Sequence, residues 1–529
     1  MKKILLFILL VYTGLIFADF IIPPDDPVYI FLEMTNTIGL TELRTIEYPL
    51  YYNMVLRELT TIVNGSNATP YQKIADYHLN RLKLYYPIGT NVAVYPPKKT
   101  FRSVKNLLSL DPAHQRLFST TGPADSISTN ETFIYASGLL GFEYDTKIRA
   151  KNVNRNKKYY GVESAGNFTD NFGYYFLFQK GHYLGEEDFI KEYPFLTTSI
   201  YDDVYSDENG YYFINLITEV DFKNPYLNFS IGYGSLDIGR SISSSIILNS
   251  DVTPYGYIKY YKNFGIIDYL GITSQLIPEK KNEDNRYEPK SMGIQVASLN
   301  TDNFTFGLGN AAIYGDKVFD IAYSTPLSVA VAIDSKYGSA DNALLLFGFT
   351  EIKYFTGFNL YGSFLFDDIS KNRLKSDKGL SYTAYQAGIL HSLKTLPLDF
   401  GIEATIVGPS TYSHESSGDF FTYTHDKMRL GHKFGSNFLS LATRIRWHIP
   451  RLTTELRYEN VQQGDIGCDP LQAGGEQKFL AGNFTRKEIF TSEVNLRIIS
   501  ELHLFTRYEY QNEINKDIHY IYTGMEFKY

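Results

Sequence analysis

The sequence has 529 residues, and its 50 Lys and Arg against 58 Asp and Glu give a formal charge of −8 at pH 7. A mildly acidic chain without a basic tract is a poor nucleic-acid binder, and its charge gives no support to attachment at anionic lipid. The single cysteine, Cys468, excludes an internal disulfide framework and a cysteine-based metal cluster. The chain contains 45 Tyr and 37 Phe, and aromatic side chains favour β-strands and membrane interfaces.

The first 18 residues have the pattern of a secretory signal peptide. Lys2 and Lys3 precede an apolar run over residues 4–17, and Ala18 supplies a small residue for cleavage. The run is shorter than the roughly 20 residues that a membrane-spanning helix needs. We therefore predict export across the inner membrane, with an uncleaved membrane anchor as the alternative.

Three segments within residues 19–120 have apolar positions at helical spacing. Gly39 is a natural stop for the first helix, and Thr69 and Pro70 suit the N-cap and first residue of the third. We expect a small helical subdomain over residues 19–120, forming a structural plug or periplasmic bundle, with a binding module as the alternative. The apolar positions are Val28, Phe31, Leu32 and Ile38, then Tyr51, Val55, Leu59 and Ile62, then Ile74, Tyr77 and Leu82.

From about residue 130 the apolar period changes to two, as in β-strands. In residues 441–448, for example, apolar or neutral side chains alternate with a set that includes two arginines and a histidine. The charges therefore lie on one face. A soluble sandwich gives the same alternation, so the pattern alone does not separate a water-exposed face from a barrel lumen. The two sets in this example are Leu441, Thr443, Ile445 and Trp447 against Ala442, Arg444, Arg446 and His448.

The C-terminal strand and the signal peptide favour the membrane. One face of this strand is mostly apolar and ends on an aromatic ring, whereas the other carries Glu526 and Lys528. Polar turn-rich stretches separate the strands, as in barrels with long external loops. We predict a large antiparallel transmembrane β-barrel of about 16–18 strands over residues 130–529. The apolar face of the last strand consists of Ile521, Thr523, Met525, Phe527 and Tyr529.

Charged residues near the ends of the strands are the first candidates for a binding site. Asp367 and Asp368 are adjacent, so in a strand they face opposite sides. A glycosidase needs two converging carboxyl groups, so loop solvation fits this pair better than catalysis, with sugar or cation contact as the alternative. Glu351 shares a strand face with Phe347 and Phe349, which predicts a lumen position at the rim, either ion-paired or in contact with polysaccharide.

Arg240, His425 and His432 complete the set of candidate residues. A luminal arginine either pairs with a carboxylate on a neighbouring strand or grips the carboxylate of an acidic polysaccharide with two parallel hydrogen bonds. The two histidines are seven residues apart around Lys427 and Arg429, which is not a tight metal-ligand spacing. We predict no metal, no cofactor and no catalytic residue, since no nucleophile elbow, phosphate loop or HExxH helix is present.

Four segments, in order along most of the chain, resemble the Wzi-type capsule-assembly family of outer-membrane proteins. The first resembles the opening helix of that family, and the second its Gly-Arg strand. The third has a Gly-Phe-x-Glu strand followed by paired aspartates, and the fourth a Leu-Gly-His loop. Ile242 and Ser243 replace the Trp-Gly pair that the family has after its Gly-Arg. The segments are DDPVYIFLEMTNTIGL (25–40), LDIGRSISSSIILNSDVTPYGYIKY (236–260), LLLFGFTEIKYFTGFNLYGSFLFDDI (344–369) and YTHDKMRLGHKFGSN (423–437).

The resemblance implies a large barrel whose N-terminal helical bundle closes the periplasmic end, and a lectin-like role in holding capsular polysaccharide at the cell surface without catalysis. We expect the partners to be surface polysaccharide, outer-membrane lipid and the barrel-assembly machinery, with the chain acting as a monomer in the outer membrane. An outer-membrane porin or transporter for small solutes is the first alternative, and an outer-membrane hydrolase is the second.

Overall fold

A closed antiparallel β-barrel of 18 strands surrounds the N-terminal helices. The structure is a computed structural model. It describes residues 22–23, 26–41, 50–65, 70–85, 92–93, 99–101, 118–120, 126–128, 133–149, 152–169, 172–191, 206–207, 210–223, 227–278, 289–315, 320–324, 343–353, 355–367, 380–413, 422–468, 477–499, 502–513 and 516–528.

Each barrel strand pairs with its neighbours in sequence order, and the last pairs with the first through registers such as Gly524 opposite Glu143. This confirms the predicted fold class, and the 18 strands are at the upper end of the predicted range of about 16–18. The strands are β1 Phe133–Ile148, β2 Val153–Thr169, β3 Phe172–Gly185, β4 Gly210–Lys223, β5 Asn228–Gly234, β6 Tyr255–Asn263, β7 Ile267–Leu276, β8 Lys290–Asn300, β9 Phe304–Gly315, β10 Ala343–Ile352, β11 Phe358–Asp367, β12 Thr383–Ser392, β13 Leu398–Val407, β14 Phe438–Ile449, β15 Leu452–Gly464, β16 Phe484–Ile499, β17 Leu502–Glu513 and β18 Lys516–Lys528.

The two ends of the barrel differ in the length of their connections. At one end, the short-turn end, every connection between barrel strands has two to five residues, such as 450–451 and 393–397. At the opposite end, the long-loop end, several connections are far longer, and residues 408–437 separate β13 from β14. Transmembrane barrels have this asymmetry, with the short turns on the periplasmic side.

Side chains on the wall alternate between an apolar exterior and a polar interior, as the period of two predicts. On β14, the outward Leu441, Ile445 and Trp447 are 46%, 42% and 40% exposed, whereas Arg444 and Arg446 point inward and are buried. The outward face of the barrel therefore has the apolar character of a surface that contacts lipid, while the charges lie in the lumen.

The three predicted N-terminal helices are present, as α1 Val28–Thr37, α2 Tyr52–Val63 and α3 Pro70–Tyr85. Asp26 accepts a hydrogen bond from the backbone N–H of Val28 at the start of α1, and Gly39, with a φ of +76°, follows its end. Pro70 is the first residue of α3, whereas the predicted N-cap Thr69 lies outside the described residues. Of the described helices, none combines the length and apolar character that crossing a membrane requires.

The helical subdomain packs inside the barrel at the short-turn end. Its apolar side chains form one core with the inward Tyr135, Ala165 and Tyr175 of the wall. The hydroxyl of Tyr71 on α3 donates to the backbone oxygens of Leu393 and Leu396, at 2.6 and 2.9 Å, in the turn between β12 and β13. The helices therefore contact both the wall and a short turn.

The described residues between α3 and β1 are short β segments. Lys99–Phe101 pairs with Phe118–Thr120, and Val92–Ala93 pairs with Ser126–Ser128. The helical part of the predicted 19–120 subdomain therefore ends at Tyr85 within the described residues. Two further short helices, α4 Glu187–Lys191 and α5 Ile321–Ser324, lie in long connections of the barrel.

Candidate functional site

Two long connections fold inward at the long-loop end. Inner loop 1, residues 235–254, joins β5 to β6, and inner loop 2, residues 408–437, joins β13 to β14; residues 414–421 lie outside the described part. Apolar side chains from both loops are almost fully buried in one core with the wall. Loops built mainly of polar residues would instead remain in water. These buried side chains include Ile246, Ile247, Leu248, Tyr412 and Leu430.

The two inner loops are hydrogen-bonded to each other. The backbone N–H of Asn249 donates to the backbone oxygen of Leu430 at 2.8 Å. The hydroxyl of Tyr412 donates to the backbone oxygen of Ile246, also at 2.8 Å. Because these bonds join segments about 170 residues apart in sequence, the loops form one folded surface across the barrel mouth.

Asp367 supports inner loop 2. It lies at the end of β11, is buried, and accepts a hydrogen bond from the backbone N–H of Tyr412 at 2.7 Å. A carboxylate that is buried and bound to backbone in this way stabilises a loop conformation. Its neighbour Asp368 lies outside the described residues.

His425 lies in the buried base of inner loop 2. Its Nδ1 accepts a hydrogen bond from the backbone N–H of Ile277 at 3.0 Å, and its ring contacts Tyr255 edge-on. Burial, together with the positive charge of Lys290, lowers the pKa of His425 to about 3. The imidazole is therefore neutral at physiological pH and supplies no positive charge to an acidic ligand.

His432 has the same character. Its ring packs against Phe438 with 4.7 Å between the ring centres, and its Nδ1 accepts from the backbone N–H of Phe434 at 3.3 Å. Burial and the neighbouring Lys433 lower the pKa of His432 to about 3. Both predicted histidines therefore belong to the packed interior of the loop.

Glu33 on α1 lies inside the barrel, among three arginines. Its Oε2 is 2.6 Å from Nη2 of Arg446, and its Oε1 is 3.1 Å from Nη1 of Arg240 and 3.6 Å from Nη2 of Arg444. Burial raises the pKa of Glu33, but the three arginines outweigh it and hold the pKa well below its usual range. The carboxylate is therefore ionised throughout the physiological range.

Two further carboxylates complete this arrangement. Oε2 of Glu351 is 3.1 Å from Nε of Arg240, and Oδ2 of Asp399 is 2.5 Å from Nη2 of Arg446. We call the six residues the central ion cluster. Three arginines face three carboxylates, so the cluster has no net formal charge. It joins α1, inner loop 1 and the wall strands β10, β13 and β14. Its members are Glu33, Arg240, Glu351, Asp399, Arg444 and Arg446.

The structure thus brings the predicted residues together at two places. Arg240 and Glu351 belong to the central ion cluster, whereas Asp367, His425 and His432 support or fill inner loop 2. The sequence analysis missed Glu33 and Asp399. The available signal for Glu33 was that it is the only charged residue of α1, because a lone acid in a buried helix needs a cationic partner.

The exposed charges of the inner loops are different residues. Among the described residues of both loops, the charged side chains that are exposed are those of Asp237, Asp251 and Lys427. Backbone strain accompanies one of them, since Lys427 has a φ of +68°. These three side chains are the charged groups that the described parts of the two loops expose to a ligand.

Comparison with solved structures supports the fold. The chain is similar to Wzi, an outer membrane protein of Escherichia coli, with a TM-score of 0.61 and 12% identity over 96% of this chain and 99% of that chain. It also matches the outer membrane protein OpdK and OpdQ of Pseudomonas aeruginosa, with TM-scores of 0.45 and 0.44, each at 10% identity over 75% of this chain and 98% of the other.

Comparison at the sequence level gives no relative. No protein-family model matches the chain, and no curated protein matches it significantly. At 12% identity the likeness to Wzi is one of fold, and it extends over nearly the whole of both chains. The chain is therefore an 18-stranded β-barrel of the kind found among outer-membrane proteins.

Proposed function

We propose that this protein is an outer-membrane barrel that binds and retains capsular or other surface polysaccharide without catalysis. The observation that carries the proposal is the pair of inner loops, which fold together into one fixed surface at the long-loop end. The overall fold is similar to that of Wzi, which is described as a carbohydrate-binding β-barrel involved in group 1 capsule assembly. Signal-directed export and insertion by the barrel-assembly machinery belong to the same proposal.

The filled lumen supports binding over passage of solutes. Helices α1–α3 occupy the short-turn end, the inner loops occupy the long-loop end, and the central ion cluster connects them. A porin needs a continuous water-filled path. The described residues instead place buried side chains across the lumen at both levels, which favours a role at the surface.

The contact residues are proposed from accessibility. Arg240 and Glu351 already pair with carboxylate or arginine partners, and His425 and His432 are neutral and buried. We assign these four residues, with Asp367, to support of the loop surface. Polymer contact falls to the exposed loop groups, such as Asp251 and Lys427. Many weak contacts suffice, because a long polymer binds multivalently.

Absence of catalysis is part of the proposal. Hydrolysis of a glycosidic bond needs two carboxyl groups that converge on the substrate. Asp367, the described member of the adjacent aspartate pair, is buried and bound to the backbone of Tyr412. Incubation of the purified barrel with surface polysaccharide should leave the chain length of the polymer unchanged, and shortening of the polymer would refute this part.

Deletion of the gene in a capsulated host tests the proposal. We expect unchanged polysaccharide synthesis, with the polymer moving from the cell-associated fraction to the medium. Purified protein should also bind surface polysaccharide on a glycan array. Unchanged cell-associated polymer in the deletion strain would contradict the proposal. A large steady current from the protein in a planar bilayer would support a porin instead.

Point variants locate the contact surface. The double variant Asp251→Ala with Lys427→Ala should lose roughly tenfold in polymer binding, because multivalency amplifies each lost contact. Glu513→Ala is the matched control, since Glu513 is also exposed and lies at the long-loop end of β17. If the control and the double variant lose polymer binding equally, the inner loops are not the contact surface.

A further inference from the structure

A cavity of about 340 Å³ lies at the short-turn end, between the helices and the wall. Asp26, Tyr77 and Arg81 line it from the helical side, and residues of β14–β18, β1 and β2 line it from the wall. Its volume is within the range of about 300–1,000 Å³ that is typical of small-molecule sites. The cavity is on the side opposite to the inner loops and is no part of the surface proposed above.

Most charged groups around the cavity have partners of opposite charge. Arg81 donates two hydrogen bonds to Asp26, at 2.8 and 2.5 Å. Lys528 is 3.2 Å from Oε2 of Glu163 and 3.7 Å from Oε1 of Glu526. The Arg81–Asp26 pair is neutral, whereas Lys528 lies between two glutamates, so these groups leave no unpaired positive charge to attract an anionic ligand.

Arg497 on β16 is different. Its side chain is half-buried and lines the cavity. Within the described part of the chain, its guanidinium has neither a hydrogen bond nor an ion pair. Asp26 lies nearby but does not pair with Arg497, because both of its carboxylate oxygens already accept hydrogen bonds from Arg81 and one also accepts from the backbone N–H of Val28.

The pKa of Asp26 also indicates that the positive charge of Arg497 acts within this cavity. Burial raises the pKa of Asp26, but the charges of Arg81 and Arg497 and the hydrogen bonds that Asp26 accepts together outweigh burial, so the pKa lies below its usual value. The positive charge of Arg497 thus reaches into the space between the helices and the wall. A guanidinium that is partly desolvated in this way has a strong preference for a carboxylate.

Other groups of the lining suit a ligand with a ring and hydroxyl groups. Asn495, two residues before Arg497 on the inward face of β16, donates its amide to Glu493, another lining residue, at 2.6 Å, and its amide oxygen remains as an acceptor. The hydroxyl of Thr453 also lines the cavity, 2.8 Å from Nδ1 of His448. Tyr77 and Tyr135 provide aromatic surface on two sides of the cavity. Aromatic lining with a few convergent polar groups is the usual composition of small-molecule sites.

We propose that this cavity binds a small carboxylate of the size of a single sugar acid, with the carboxylate held by Arg497. The site lies between the helices and the wall, and its volume suits a single sugar ring rather than a polymer chain. The proposal goes beyond polysaccharide retention and does not depend on it, because the two surfaces lie at opposite ends of the barrel.

Calorimetry on the full-length protein in detergent tests the ligand class. D-Glucuronate and D-glucose share a ring and differ in the carboxylate, so we expect glucuronate to bind one per barrel and glucose to bind at least tenfold more weakly. Equal binding of both sugars, no binding of glucuronate, or tighter binding of inorganic phosphate than of glucuronate would each overturn the proposal.

A matched pair of variants tests whether Arg497 holds the carboxylate. Arg497→Gln should weaken glucuronate binding at least tenfold. Arg486→Gln should leave it unchanged, because Arg486 lies on the same strand but faces outward at the long-loop end. A shift in gel mobility on heating verifies that both variants fold, and unchanged glucuronate affinity in folded Arg497→Gln overturns the assignment.

A second measurement keeps Arg497 intact. Asn495→Cys in a Cys468→Ser background places the sole thiol in the cavity, where a maleimide can alkylate it. Glucuronate should slow the alkylation severalfold, and glucose should not. Alkylation at the same rate with and without saturating glucuronate would show that the ligand does not occupy this cavity.

Discussion

Glu33 on helix α1 and Arg446 on strand β14 are joined by a contact of 2.6 Å, although 413 residues separate them in the chain. The same carboxylate reaches Arg240 of inner loop 1 at 3.1 Å. One side chain therefore links the helical subdomain, the wall and a loop from the opposite mouth of the barrel. The position of the helices is coupled through Glu33 to the packing of the inner loops.

Replacement of Glu33 by Gln should release the helical subdomain. The substitution leaves three inward arginines with one carboxylate fewer, and removing one partner of a buried ion cluster costs about 3 kcal/mol or more. We expect a lower temperature for the heat-induced mobility shift and faster proteolysis of α1–α3. In planar bilayers the variant should open more often than the wild type.

The control for this prediction is Glu513→Gln. Glu513 is exposed at the end of β17, and its replacement removes the same charge without touching the central ion cluster. Glu513→Gln should behave as the wild type in all three measurements. If Glu33→Gln also retains wild-type heat stability and protease resistance, the coupling between α1 and the wall lies elsewhere.

Acidification should loosen inner loop 2. His425 and His432 have ordinary pKa values of 6.5 in the unfolded loop and about 3 in the folded one. Because the folded pKa is lowered, their contribution to stability is fully present above pH 6.5 and is lost as pH falls towards 3. The loss is about 1.4 kcal/mol per pH unit for each histidine. Hydrogen exchange of residues 422–437, corrected for intrinsic rates, measures it.

The double variant His425→Gln with His432→Gln separates this effect from general acid unfolding. It should be less stable at pH 7 but should show a flatter pH dependence between 6.5 and 4. Exchange protection of the wild-type loop that stays constant from pH 7 to pH 4 would contradict the burial argument.

Periodicity explains why the wall could be predicted and the lumen could not. Alternation along β14 placed Leu441 outside and Arg444 inside, because the side-chain period of a strand fixes its faces. The same pattern gives no information about what Arg444 meets across the lumen. Its partner Glu33 comes from a helix, and Arg240 comes from an irregular loop that has no period.

The inner loops illustrate a second limit. A polar stretch at residues 414–419 predicts a loop, and loops generally run over the surface. Residues 236–240 resemble a Gly-Arg strand, but in the structure they lie in the irregular inner loop 1. The run Ile246, Ile247 and Leu248 marks the segment that folds inward, but a short apolar run in a loop is equally consistent with a buried strand. Whether the loop packs inside the barrel or runs over its surface depends on contacts with Tyr412 and Leu430, which lie far along the chain.

Trp447 provides a test of membrane orientation, because it is the only tryptophan in the chain. It points outward near the short-turn end of β14 and is 40% exposed. Tryptophan favours the membrane interface, so its emission in lipid vesicles should be quenched more by bromine near the headgroups than by bromine near the bilayer centre. Ile445→Trp in a Trp447→Phe background, two residues further into the wall, should show a smaller difference. Absence of any lipid quenching would refute the outward orientation.

Glu403 on β13 fixes the tip of inner loop 1. Its two carboxylate oxygens accept from the backbone N–H groups of Ile242 and Ser243, at 2.8 and 3.1 Å. The hydroxyl of Tyr361 donates to the same carboxylate at 2.7 Å. A single wall side chain thus satisfies two backbone donors of a buried loop, at the two positions where the chain departs from the Trp-Gly pair of the family it resembles.

Glu403→Gln should therefore make inner loop 1 more mobile without opening the barrel. The amide offers one acceptor oxygen, so its NH₂ group must face a backbone donor, and an unsatisfied buried donor costs about 1–3 kcal/mol. We expect faster proteolysis within residues 235–254 and weaker polysaccharide binding, with an unchanged heat-induced mobility shift of the barrel. Glu488→Gln is the control, because Glu488 pairs with Arg486 on the outward face of β16. Polysaccharide binding that survives in Glu403→Gln despite a proteolysed inner loop 1 would show that the polymer contacts the barrel outside this loop.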